Sequence, residues 1–321
     1  MHLQTQSSPH YPKRRNNDIV RTLPLMGTFV TLHVVACSGE ARGQREAEEA
    51  VERAFGWFYT VEECCTRFDP NSELMQLTKH AGVPVPVSAI LFEAVQFALA
   101  VAEESGGAFD PTVGRAMETR GFDRNYVTGS VIRTCVDSTT GVSYRDVRLD
   151  PDRRTITLLR PLVLDLGAVA KGLAVDLAAR ELQTFENFAI NAGGDLYLAG
   201  SNPEGEPWSV GIRHPRRVDE VIDSLRISNC AVCTSGDYER RAANGRGGHH
   251  ILDPRTGASP NAAASVTVIA PNAMVADALA TAAFIQGADG IQLLERYGVD
   301  GLVVSQELKC YATRGLCAYR S

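Results

Sequence analysis

A chain of 321 residues with 44% hydrophobic and 22% charged residues has ordinary globular composition, enough for one large domain or two associated lobes. Its formal net charge of −6 argues against a general nucleic-acid binder, and the Lys13-Arg14-Arg15 cluster falls in a polar stretch that reads as a solvated tail. No apolar run approaches membrane-spanning length, and residues 1–17 lack the apolar core of a secretory signal, so no membrane span and a cytoplasmic location are expected.

Order is expected from Thr22, leaving residues 1–21 as a disordered tail and 22–321 as the functional domain. Met26-Gly27-Thr28 opens a strand to residue 35. A helix follows over 44–66, with Ala47, Val51, Ala54, Phe55, Phe58 and Val61 along one side. Arg67-Phe68-Asp69-Pro70 is a turn, after which Asn71 or Ser72 caps a short helix to Lys79. An extended connector over 83–87 precedes a strong helix that Ser88 caps and Gly106-Gly107 terminates.

Ala108-Phe109-Asp110-Pro111-Thr112 then forms a structured loop between glycines. Loops held by rigid neighbours often line sites, but taken alone this loop reads better as Phe109 plugging the core and Asp110 capping its own turn. Residues 115–145 are polar, with weak periodicity. A hairpin over 147–149 and 155–159, turning at Asp150-Pro151-Asp152, feeds the central stretch 162–200. There, residues 163–166 read as an apolar strand carrying Asp165. Gly167 breaks it, and a helix follows with Leu173, Ala174, Leu177, Ala178 and Leu182 on one face. A strand, a glycine turn and a helix start can bind an anion through unpaired N–H groups, with Lys171 adding positive charge. An ordinary buried crossover fits the same pattern.

Strands are expected at 188–191, 196–199, 208–213 and 224–228, and at 230–234 before the polar turn Thr234-Ser235-Gly236-Asp237-Tyr238. Residues 244–248 read as a mobile glycine-rich loop. His249-His250-Ile251-Leu252-Asp253-Pro254-Arg255-Thr256-Gly257 is dense in functional chemistry, and His250 could act as a base if a carboxylate orients it. After a strand at 266–270, Asn272 caps a helix through Gln286. Within it Asp277 and Thr281, one turn apart among alanines, could hold a hard cation such as Mg²⁺ or simply bond to each other. A helix over 290–297 and strands over 301–305 and 309–313 complete the sheet. The eight cysteines, including a lone Cys230-x-x-Cys233, lack the second pair that a zinc site needs and read mostly as small core residues.

Taken in order, Met26-Gly27-Thr28, the F-D-P-T-V-G loop, D-L-G-A-V-A-K-G, N-A-G-G-D, T-S-G-D-Y, H-H-I-L-D-P-R-T-G and A-D-A-L-A-T resemble the motifs of the ApbE-type FAD:protein FMN transferases from Thr22 to Thr313. The resemblance implies an α+β fold of mixed sheets with packed helices in two closely associated lobes. It implies FAD as donor substrate, Mg²⁺ as cofactor, and an acceptor flavoprotein whose Thr or Ser receives FMN with release of AMP. By the same resemblance Met26 and Phe68 contact the flavin; the second position is commonly tyrosine, so stacking survives without the hydroxyl. Ala108, Phe109 and Asp110 embrace FAD, and Asp165, Lys171 and Ile251 contact it. Ala168 (through its carbonyl), Asp277 and Thr281 hold the metal, and His250 is the base for the acceptor hydroxyl.

The chain departs from that pattern after Gly114, with Arg115-Ala116 and Arg120-Gly121-Phe122 where proline-leucine and an aromatic-glycine-phenylalanine are usual. That bears on acceptor choice more than on FAD. Two other readings stay open: a hydrolase splitting FAD into FMN and AMP, and a non-catalytic FAD-storage protein.

Overall fold

The computed structural model describes residues 18–35, 41–125, 128–134, 136, 141–239 and 248–320. The Lys13-Arg14-Arg15 cluster and residues 244–247 of the expected glycine-rich loop lie outside the described residues. In chain order, β1 (Ile19–Leu25) and β2 (Thr28–Val34) form a hairpin, followed by α1 (Ala41–Cys65), α2 (Glu73–Thr78), β3 (Val85–Pro86) and α3 (Ala89–Glu104). Then come α4 (Gly114–Thr119), the hairpin β4 (Val147–Asp150) and β5 (Thr155–Leu158), and α5 (Ala170–Leu182). Strands β6 (Phe188–Ala192), β7 (Asp195–Ala199), β8 (Trp208–Arg213), β9 (Val221–Ile227), β10 (Cys230–Gly236) and β11 (Ser265–Ala270) lead to α6 (Ala273–Gln286). The described elements close with α7 (Gly290–Tyr297), β12 (Asp300–Val304) and β13 (Cys310–Ala312), and the fold is α+β as expected.

Eight strands form one antiparallel sheet in the order β1-β2-β6-β7-β10-β11-β12-β13. Alternate side chains of a strand leave opposite faces, and here both faces are covered. On one, Val30 and Leu32 of β2 and Val266 and Val268 of β11 join Val51, Phe55 and Phe58 of α1 in the main core. On the other, Val232, Ile269 and Leu302 pack under the β8–β9 ribbon against Trp208, Ile212 and Leu225. Strand β11 is therefore buried along its whole length. The same alternation splits the C-x-x-C pair: Cys233 packs into the main core and Cys230 against the second cluster.

The helices begin where the capping chemistry puts them. Ser72, Ser88 and Asn272 each accept a hydrogen bond from a backbone N–H in the first turn of α2, α3 and α6. Helix α6 is apolar apart from Asp277, Thr281 and Gln286, and ten of its fourteen residues are buried. It packs closely on α5 because Gly172 has no side chain: an added Cβ would lie 2.5 Å from Met274 Cα and 2.6 Å from the Ala273 carbonyl oxygen. The Asp176 carboxylate on α5 accepts from the N–H groups of Ala273 (2.7 Å) and Met274 (2.9 Å), fixing the start of α6 against α5.

Several expectations are corrected. Residues 19–21, expected in the tail, belong to β1. Met26 and Gly27 form the two-residue turn between β1 and β2, with φ of 49° and 80°; a positive φ at both positions matches the twist of a tight hairpin. Residues 163–166 are not a ladder strand. Val163 O accepts from Gly114 N–H and Asp165 N–H donates to Pro111 O, so the stretch pairs with the 110–114 loop. Residues 115–119 of the weakly periodic 115–145 region belong to α4.

Candidate active site

A cavity of about 530 Å³ opens between the helical face of the main sheet and the loops around α4, within the range of small-ligand sites. Of the twelve residues that the sequence singles out, eleven line it: Met26, Phe68, Phe109, Asp110, Asp165, Ala168, Lys171, His250, Ile251, Asp277 and Thr281. Ala108 does not; it is buried in the main core beside Phe109.

Each wall is fixed by a different part of the fold. The β1–β2 turn brings Met26, whose N–H donates to Glu62 Oε2 of α1 at 3.1 Å. The 108–113 loop brings Phe109 and Asp110. One oxygen of Asp110 accepts from the N–H and hydroxyl of Thr112, the other from Tyr144 N–H at 3.0 Å. Asp110 therefore caps its own turn and faces the cavity as well. Burial raises its pKa, with these donors opposing.

The central stretch contributes Asp165, Ala168 and Lys171. Asp165 accepts from Arg67 Nε and from Gly167 N–H. Burial works against its ionisation, but the Arg67 guanidinium, the Gly167 N–H and the field of His250 together hold the carboxyl below its ordinary pKa. No side chain caps α5, and Gly167, Ala168, Ala170 and Lys171 around its start all line the cavity. Lys171 forms an ion pair with the buried Asp195 and lies 3.8 Å from Asp277.

Helix α6 supplies Asp277 and Thr281, one turn apart and facing the same cavity. The two do not simply satisfy each other, since the Thr281 hydroxyl bonds Ser235 Oγ of β10 at 3.1 Å. Asp277 and Thr281 thus offer a carboxylate and a hydroxyl to the cavity that Ala168 also lines, and oxygen donors of this kind suit hard cations better than soft metals. Among the described residues no group of three His, Cys, Asp or Glu side chains could hold a metal ion.

The two adjacent histidines separate cleanly. His249 is buried, with Nε2 3.0 Å from Pro260 O and its ring edge-on to Phe284, so its part is structural. His250 is half-buried in the cavity wall. Asp253 and Arg255 pair with each other, while the charge of the Asp165 carboxylate is coupled to His250. Sequence reasoning missed Arg67, Phe122, Ser235 and Glu239 as cavity-lining residues. Ser235 could have been found from the T-S-G-D-Y turn, whereas nothing local marks Arg67 as buried.

The model of the ApbE family matches residues 26–303. The FAD:protein FMN transferase of Treponema pallidum is 30% identical over 330 residues, covering 95% of this chain and 89% of that protein. The enzyme of the same name from Haemophilus influenzae is 28% identical over 267 residues, covering 79% and 77%. Among solved structures, the ApbE protein of Thermotoga maritima superposes with a TM-score of 0.80 at 31% identity over 95% of this chain and 99% of that one. The flavin transferase ApbE of Vibrio cholerae gives 0.79 at 27% identity over 94% and 99%. No helix among the described residues is long and apolar enough to cross a membrane. A match over most of its length, on a shared fold and with most of the motifs meeting at one cavity, makes the chain a member of the ApbE family.

Proposed function

We propose that the chain is an FAD:protein FMN transferase that moves FMN from FAD to a Thr or Ser of an acceptor flavoprotein and releases AMP. The observation that carries this reading is the convergence on one cavity of a histidine, a carboxylate–hydroxyl pair and aromatic walls from four distant parts of the chain. The acceptor hydroxyl oxygen attacks the phosphorus of the FMN half, the bond from that phosphorus to the bridging oxygen breaks, and AMP leaves with that oxygen.

His250 takes the hydroxyl proton, and the ionised Asp165 nearby favours the imidazolium that results. Phe68, Phe109 and Met26 give the flavin an apolar wall, while Lys171 adds positive charge for the pyrophosphate. Asp277, Thr281 and the Ala168 carbonyl would hold Mg²⁺, which neutralises phosphate charge and so favours both attack and AMP departure.

The test is incubation of the purified protein with FAD and Mg²⁺, with and without an acceptor domain, followed by intact-mass measurement of the acceptor and assay of AMP. One added FMN phosphoryl unit, lost in Asp277→Ala, is the expected result. AMP without acceptor gain would point to hydrolysis of FAD with water as nucleophile. Tight FAD binding without turnover toward a competent acceptor would point to flavin storage.

A further inference from the structure

Arg67 sits on the turn after α1 with a side chain only 5% exposed, yet it lines the cavity. Its guanidinium reaches three separate pieces of the wall. Nε donates to the Asp165 carboxylate of the central stretch, and Nη2 donates to the Phe122 carbonyl at 2.6 Å. Its planar face lies over the Phe68 ring, 4.2 Å from the centroid. A return stitch runs the other way, since Asn125 Nδ2 donates to the Phe68 carbonyl at 3.3 Å. A rigid, forked, permanently charged plane can perform all three tasks at once; a lysine ammonium can meet a carboxylate but cannot also stack and fork.

We propose that Arg67 is the positioning residue that sets affinity for FAD, by locking the Phe68 ring and the Asp165 carboxylate into one fixed spacing across the cavity. This rests on the reading of the cavity as an FAD site. Phe68 supplies surface without a hydroxyl to anchor its own ring, and Arg67 provides the anchor from the neighbouring position. The same side chain binds the Phe122 carbonyl, at the end of the Arg115–Phe122 stretch where the sequence leaves its family's pattern, and with the Asn125–Phe68 bond it makes this stretch part of the wall and not a detached loop.

The experiment uses the full chain with Arg67→Gln, Arg67→Lys, Asp165→Asn and the Arg67→Gln/Asp165→Asn double variant. FAD binding is followed by flavin fluorescence, and KM and kcat are taken from FMN transfer. Arg67→Gln weakens FAD binding about tenfold or more and raises KM for FAD by a larger factor than it lowers kcat. Arg67→Lys recovers part of the loss. The double variant binds no more weakly than the weaker single variant, because both changes remove one shared interaction. A side chain that served only the fold would give additive losses and a fall in kcat without a selective rise in KM, and that pattern overturns the proposal. Should Arg67→Gln fold poorly, Arg67→Lys carries the test, and affinity equal to that of the unaltered chain overturns it. Failure of the unaltered chain to bind FAD would instead remove the FAD reading itself.

Discussion

At the scale of single residues, neighbours with the same chemistry do different work according to what surrounds them. His249 is held by Pro260 and Phe284, whereas His250 lines the cavity, and it is His250 to which the proposed reaction assigns the base. His250→Ala is therefore expected to lower kcat for FMN transfer by about a hundredfold or more while FAD affinity is largely kept, measured by AMP release and flavin fluorescence. Asp176 makes a different case. Burial raises its pKa to about 6 although two backbone N–H groups at the start of α6 oppose the shift. The native state then holds this proton more tightly than the unfolded chain does, so the group's contribution to stability falls as pH rises from about 4 through about 6. Unfolding of Asp176→Asn across that window should lack this slope, and the gap between variant and native chain should change by about 2–3 kcal/mol. Sequence reached His250, Asp277 and Thr281 because unusual residue types crowd a short span or a helix face. Arg67 escaped because only the fold shows that an arginine in a polar turn is buried against Asp165 and Phe122.

At the scale of elements, α5 and α6 act as one unit, and Gly172 is the contact that lets them do so. Gly172→Ala would force its new Cβ against the α6 backbone. Overpacking of this kind costs about 1–3 kcal/mol, and the displaced α6 carries Asp277 and Thr281. Lower thermal stability together with weaker Mg²⁺ dependence of AMP release is expected; unchanged metal dependence would separate the packing from the site. The long helices were legible in sequence because their caps and apolar spacing agree, as with Ser88 and α3. Strand β1 was not, since it lies at the sheet edge with mixed polarity and contains Pro24, which central strands exclude. Helix α4 has six residues, too few for a period to emerge. The 163–166 stretch misled for the opposite reason: its apolar run is that of a buried strand, but its partners are loop carbonyls and N–H groups distant in sequence.

At the scale of the whole molecule, the cavity is a property of the completed fold, with its lining drawn from Met26 through Ile285. A ligand that binds only this closed arrangement stabilises the entire chain: FAD with Mg²⁺ at a hundred times its dissociation constant should raise unfolding free energy by about 2.7 kcal/mol, seen as an upward shift in melting temperature. Chelation should shrink that shift and stop AMP release, and added Mg²⁺ should restore both. The wide spread of the lining also bears on how the protein is made. While the ribosome is still extending the chain, the hairpin, α1 and the central stretch can emerge, but α6 has not yet arrived to close the pocket. On the FAD reading of the cavity, chains that end before α6 should therefore bind flavin more weakly than the full chain.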